Sequence, residues 1–530
     1  MITVPQRTIG ESIFIASGKY ASKVALIDTG EGYSYAVFKV ACLKIAGHFI
    51  KSGLEKGDRV IIYMNNSWQS AVSLFGITLA GGVFVFVNPQ TKADKLGYII
   101  NDNGAKIIIS EYLLQKTLFR ALENTDSVRE VILAGKPVKF TTNTGVRVTG
   151  FEEIMDVETS GIILPNVIPT DLAALIYTSG STGFPKGVMM THQAMVFTTW
   201  SLIEYLRLSE DDRIMLVLPL SFDYGLYQLL MSVAIGGALI IEQSFSFPAT
   251  IYEQIEKYKP TVFPGVPTIF AIMINSHKKT GLSFDCVRKI TNTAAALPSE
   301  FTPYLKRIFP NALIFKMYGL TECKRVCYLE PELIDEKPDS VGKAIPGTEV
   351  FILDPDGNPV PPGKPGILYI RGPHVMAGYW NEPELSDEML KPGKIPGEKI
   401  LCSHDLFKMD EDGFLYFLGR TDDIIKTRGE KVSPVEVENV IYKLNGVKEV
   451  SVIGYPDEIL GEAITAFVTV QNDSIFNENE IRKFCMENSE LLMVPQRIFI
   501  LDEMPKTANG KIDKKKLKEM IPQIIDQSLR

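Results

Sequence analysis

The 530-residue chain is 45% apolar and 22% charged, an ordinary globular composition on a length too great for one small core. Its net charge of −8 argues against a protein that neutralises nucleic-acid phosphates. The six cysteines show neither CxxC spacing nor disulfide density, which points to a reducing, cytoplasmic setting and to ordinary thiols; Cys323 and Cys327, without nearby histidines, make a poor metal site.

MITVPQRTIGES, at the start, has no basic segment leading into an apolar one, so no secretion signal is read there. RVIIYMNN and KIIISE read as buried strands, and the periodic segment Trp68–Leu79 as a helix between them. The most apolar window, Ala71–Val87, is short for a membrane span and is broken by Gly81 and Gly82. A helix ending at those glycines, followed by the buried strand VFVFV, explains it better, and no membrane partner is expected. This alternation predicts a layered α/β domain with parallel sheets.

LIYTSGSTGFPKGVMMTH, Leu175–His192, packs glycines and hydroxyls around Lys186 directly after an apolar strand end. Gly180 and Gly183 free the backbone for convergence on an anion, Thr178, Ser179, Ser181 and Thr182 add hydroxyls, and Lys186 adds charge. The spacing is not that of a Walker loop: the sixth place from Gly180 is Pro185, and Gly187 follows the lysine. A phosphate-loop ATPase is therefore a poor match.

Beyond Gly347 the composition changes. DPDGNPVPPGKPG is turn-rich between FIL and ILYIRG, which predicts β-hairpins. From Pro434 the order helix, strand, strand, helix, strand predicts a compact α+β unit, with Arg420–Asp423 as a hinge and KKKLKEM as a solvated helix.

TSGSTGFPKGV resembles the phosphate-binding motif of the acyl- and aminoacyl-adenylate-forming superfamily, which includes acyl-CoA synthetases, luciferases and peptide-synthetase adenylation domains. MYGLTEC (Met317–Cys323), GYWNEPE (Gly378–Glu384), SHDLFKMDEDGFLYFLGRTDDIIKTRGEKVSPVEVE (Ser403–Glu438) and PKTANGK (Pro505–Lys511) resemble its further motifs, in the expected order. The resemblance spans nearly the whole chain. It implies a large multi-layer domain with a β-rich subdomain over residues 1–421, and a small mobile α+β domain over 422–530 turning at Asp422. It also implies ATP and Mg²⁺. Thr178–Gly187 would hold the β- and γ-phosphates, Thr321 the α-phosphate and Glu322 the magnesium. Tyr318 would stack on adenine, and Asp405, assisted by Arg420, would accept from the ribose hydroxyls. Lys511 would bridge the substrate carboxylate to the transferring phosphoryl oxygen, and the loop Lys426–Lys431 would replace it for thiol transfer. Ser403-His404-Asp405 departs from the family's usual Thr-Gly-Asp.

The acid is read from LPLSFDYGLYQ, Leu218–Gln228. In amino-acid adenylation domains a matching Phe-Asp sets a carboxylate against the substrate's ammonium, which cannot be buried without a counter-charge. Asp223 would take that task, or else cap a helix opening at Tyr224. Tyr224 and Tyr227, three apart on that helix, would line a compact pocket with Met317. The string MYGLTECKRV most resembles freestanding enzymes that load L-proline onto a peptidyl carrier protein. The expectation is therefore adenylation of an amino acid, proline first, with transfer to carrier-bound phosphopantetheine. The alternative is an acyl-CoA ligase for a small carboxylic acid, with free CoA as acceptor and Asp223 structural.

Overall fold

The computed structural model describes residues 6–136, 145–158, 161–179, 185–428, 430–457, 459–470, 476–507 and 510–528. Two large sheets form the body. In the eight-stranded sheet Val83–Val87 and Ile107–Glu111 flank Arg59–Tyr63 in parallel, and VFVFV is buried at every position. Such strands are covered on both faces, which is why they read as unbroken apolar runs. The helix Trp68–Leu79 starts where Ser67 and Ser70 cap one another reciprocally, and stops just before Gly81, whose φ is +77°. The nine-stranded sheet carries Arg213–Leu216, Val262–Gly265, Lys289–Asn292 and Leu313–Tyr318 in parallel neighbourhood.

Asn66, at the end of one sheet's strand, sews the two sheets together. Its amide donates to the carbonyls of Leu218 and Glu242, both at 2.9 Å, and its Oδ1 accepts from Leu220 N at 2.8 Å. Both Leu218 and Glu242 follow strands of the other sheet, so this side chain helps hold the segment running into Phe222-Asp223.

A five-stranded antiparallel sheet follows, pairing Glu349–Leu353 with Gly366–Arg371 across the turn-rich stretch and Lys399–Met409 with Leu415–Arg420. A second five-stranded sheet, with helices Pro434–Tyr442 and Glu478–Asn488, closes the chain around its own apolar core. The C-terminal helix Lys514–Ser528 is less solvated than its lysines imply. Leu517 and Ile521, four apart, are fully buried against Ile453 and Phe467, and Lys514 Nζ donates to Asp423 at 3.0 Å. Among the described residues no helix is long and apolar enough to cross a membrane. All six cysteines are free, five of them buried.

Candidate active site

The glycine-rich stretch does not sit on a strand–loop–helix turn. Its strand runs on as Leu172–Ser179 and returns antiparallel as Pro185–Thr191, with Thr178 opposite Lys186 and Ser179 opposite Pro185. Thr178, Ser179 and Lys186 therefore stand on hairpin strands rather than in the loop that the sequence predicts. Gly180, Ser181, Thr182 and Gly183 lie outside the described residues. The short strand Gly378–Tyr379 pairs with the returning arm, Tyr379 opposite Val188, and the Tyr379 hydroxyl donates to Glu322 Oε1 at 2.6 Å. Glu322 is thereby tied to the hairpin, and Thr321, half-buried, precedes it.

Tyr318 ends the strand Leu313–Tyr318 and donates its hydroxyl to Asp405. Its ring stacks on Phe417 at 5.7 Å and meets Phe407 edge-on at 4.8 Å. Asp405 is paired in register with Arg420, whose guanidinium lies 3.9 Å from Oδ1. Burial raises the Asp405 carboxyl to about 6, against the pull of Arg420 and Tyr318. Its Oδ1 is buried with no hydrogen bond, an acceptor awaiting a donor. Ser403 does structural work, its Oγ donating to Leu368 O and accepting from Asp405 N. His404 adopts φ +54°, the left-handed region that glycine enters freely. A glycine at this place would suit the same backbone shape.

Lys511 comes from the far end of the chain. The turn before it docks on the helix Pro267–Thr280, Thr268 Oγ1 donating to Gly510 O at 3.2 Å. Lys511 Nζ hangs 5.4 Å from the Phe222 ring centre, in the fields of Asp223, Glu322, Asp405 and Arg420. Its side chain is exposed to solvent yet crowded by protein, and that desolvation lowers its pKa. Asp422 lies exposed in the turn after Arg420, with its neighbour Asp423 held by Lys514.

The acyl side departs from expectation. Asp223 is the first residue of the helix Asp223–Ile235, whose N-cap position is Phe222, so Asp223 does not stand at the cap. Nor does it wait for an ammonium from outside: Lys324 Nζ, on a side chain 2% exposed, lies 3.7 Å from its Oδ2. The chain supplies its own counter-charge. Tyr224 and Tyr227 are each 1% exposed and line no open pocket. Arg325 lies 5.5 Å from the Tyr224 ring and Lys324 5.9 Å from that of Tyr227, while the Tyr224 hydroxyl donates to Thr291 O at 2.6 Å. Met317 is buried, its sulfur accepting from Tyr205 at 2.8 Å. Lys324 and Arg325 were the missed residues. Their signal was two adjacent cations followed directly by apolar residues, which must be paired if the loop folds inward.

A family model of the AMP-binding enzyme matches residues 14–380, and that of its C-terminal domain matches 436–511. The chain belongs to the AMP-binding enzyme family. This AMP-binding enzyme is 32% identical to a long-chain-fatty-acid–CoA ligase of Escherichia coli O6:H1 over 94% of its own length and 92% of the relative's. It is 28% identical to 4-coumarate-CoA ligase 1 of Narcissus pseudonarcissus, over 94% and 91%. Its fold matches that of an anthranilate CoA ligase in complex with anthranoyl-AMP, with a TM-score of 0.90 over 99% of both chains at 24% identity. The enzyme is an AMP-forming acid–thiol ligase. These relatives are CoA ligases of fatty and aryl acids, and they give no support to proline or to a peptidyl carrier protein.

Proposed function

We propose that the chain is an ATP-dependent acid–CoA ligase, which adenylates a carboxylic acid and passes the acyl group to the thiol of free CoA. The observation that carries this reading is that Lys511, 5.4 Å from the Phe222 ring, lies within electrostatic range of Glu322, Asp405 and Arg420, residues from motifs far apart in the chain. The internal Asp223–Lys324 pair favours an acid without an α-ammonium.

The residues fit the nucleotide. Asp405 Oδ1, buried and unpaired, suits a ribose hydroxyl donor, and the hairpin bearing Thr178, Ser179 and Lys186 suits the polyphosphate. Glu322 suits Mg²⁺, a hard cation that takes one or two carboxylates alongside phosphate oxygens and would neutralise charge on the leaving pyrophosphate. In the first step a carboxylate oxygen bonds to the α-phosphorus, and the bond to the bridging oxygen breaks to release pyrophosphate. Both reactants are anions, so Lys511 stabilises charge that gathers only as they join. In the second step the CoA sulfur, its proton lost to solvent, bonds to the acyl carbon and AMP leaves. The division into residues 1–421 and 422–530, turning at Asp422, lets the Lys426–Lys431 hairpin replace Lys511 between steps.

The test is thioester formation from ATP and a panel of fatty, aryl and amino acids, with free CoA and a holo-carrier protein offered in parallel. Acyl-CoA from an acid lacking an amino group is expected. Proline loaded on the carrier, with no acyl-CoA from any acid, would sink the reading.

A further inference from the structure

The turn that presents Lys511 is closed on itself and held at both of its legs. Thr507 N donates to Lys511 O at 2.7 Å, and Asp513 N to Pro505 O at 2.8 Å. On the first leg Lys506 Nζ lies 3.0 Å from Oε1 of Glu449, a buried carboxylate on the strand Val447–Asp457. On the second leg Lys514, three residues after Lys511, donates from Nζ to Asp423 Oδ2 at 3.0 Å. The first tie runs to the sheet of the C-terminal region. The second runs to the turn proposed above as the hinge.

Lys514 opens the helix Lys514–Ser528, where the positive end of the helix dipole disfavours a cation. Lys515 and Lys516 beside it are exposed, so solvent screens them, whereas Lys514 is partly buried. Burial pulls its pKa down, and the carboxylates of Glu438 and Asp423 more than restore it, which keeps the ammonium charged. Glu438 is itself fixed, its Oε1 accepting from Val452 N at 2.8 Å. One turn further on, Leu517 and Ile521 bury the helix. Lys514 holds its first turn, the one that adjoins Lys511.

At the other end of the tie, the turn bearing Asp423 is fastened to the proposed ribose site. Thr421 donates twice to His404 O, from N at 3.0 Å and from Oγ1 at 2.9 Å. Asp423 N and Ile424 N both donate to Arg420 O at 3.1 Å. His404 precedes Asp405 in the chain, and Arg420 pairs with Asp405 in register. A short path of bonded groups therefore joins Asp405 to the Lys511 turn through Asp423 and Lys514.

We infer that Lys514 and Asp423 are positioning residues for adenylation: their ion pair ties the Lys511 turn to the hinge turn, so that the angle of the hinge sets where the Lys511 ammonium stands. This rests on the role proposed above for Lys511. Neither side chain needs to touch the substrate. Cutting the tie leaves the turn closed and docked through Gly510 on Thr268, but frees its second leg from the hinge. The ammonium then spreads over more positions, and charge stabilisation that demands one position weakens.

The probe is the acid that yields most acyl-CoA in the panel above, offered free for ATP–pyrophosphate exchange and as its synthetic adenylate for transfer to CoA. In Lys514→Met and in Asp423→Asn the saturated exchange rate is expected to fall about tenfold with KM for ATP unchanged. That lies between the small worth of an exposed ion pair and the ~10²-fold that an ångström's misplacement costs. Transfer from the adenylate should keep its wild-type rate. The double variant should lose no more than the worse single one, because both remove the same tie, and Lys514→Arg should recover most of the rate. Equal loss in both half-reactions would make the pair a fold contact only and overturn the inference. Unchanged exchange, or losses that multiply in the double variant, would do the same. Lys511→Ala runs alongside: exchange that survives it removes the Lys511 role and the tie with it. Exchange lost in Lys511→Ala but intact in the Lys514 and Asp423 variants removes the tie alone. Backbone hydrogen exchange of the free protein reads the tie without any acid. Lys514→Met should speed exchange at Thr507 and Asp513 about tenfold while the strand Val447–Asp457 keeps its protection, and unaltered exchange at both amides overturns the inference.

Discussion

Tyr318 with Asp405, and Asp223 with Lys324, are both polar pairs assembled from distant parts of the chain. They differ in closure. The first is hydrogen-bonded and joined in register by Arg420, while the second stands 3.7 Å apart with the ammonium unbonded. On the proposed nucleotide side each partner is itself a motif residue, because one nucleotide imposes one spacing on every member of such a family. In the other pair Asp223 meets a cation supplied by the chain itself.

The largest effect should come from the residue that serves both sides. Lys511→Ala is expected to cut adenylation by about 10²–10³-fold, as loss of one preorganised donor to transition-state charge does. Acyl transfer from preformed adenylate to CoA should largely survive. Pyrophosphate exchange and single-turnover thioester formation read the two steps separately. Equal loss in both would mean that Lys511 holds the cleft together rather than meeting charge in one step.

The second prediction breaks the comparison on its acyl side. Asp223→Ala leaves Lys324 buried without a counter-charge and should cost about 3 kcal/mol in the ligand-free protein. Urea unfolding measures it, and Asp223→Leu with Lys324→Met should recover most of the loss. Were Asp223 instead a receptor waiting for a substrate ammonium, as its sequence context alone implies, its removal would leave the free protein's stability unchanged.

Legibility followed the same division. Unbroken apolar runs such as VFVFV announced buried parallel strands, and the helix and strand order after Pro434 is the observed one. Both follow from periodicity, a local property. The hairpin around the glycine-rich loop was not legible, since strand direction is decided by the partner that Val83–Val87 offers to Leu172–Ser179. The departure at His404 could not be weighed from the sequence, which shows a side chain and not the φ of +54° beneath it. Asp223 was misread for a related reason. A carboxylate in an apolar run demands a cation, but nothing local says whether substrate or chain provides it. Lys324, about a hundred residues on, answers that only once the fold is in view.

Acid acts on stability through two buried histidines and on binding through Asp405. His374, packed against Phe197 at 5.5 Å, and His192, which accepts from Ile9 N at 3.2 Å, are both driven by burial from 6.5 to about 4. Each is neutral in the fold, so the unfolded chain takes up its proton first. Their contribution is complete above pH 6.5 and is lost as pH falls toward 4, by up to about 3 kcal/mol each. Asp405 runs the other way, raised by burial from 3.8 to about 6. The free protein holds its proton between those values, so Asp405 itself favours the fold as pH falls through that window. On the proposed reading nucleotide binding suffers, because ribose hydroxyls would donate to the ionised carboxylate. KM for ATP should rise below pH 6 by about tenfold per unit, while in Asp405→Asn it should be higher throughout and flat over the same range. Measured at acid concentrations that saturate the acyl site, an ATP KM that stays level from pH 7 to 5 in the wild type would place the ribose away from Asp405, whatever its partners in the free chain.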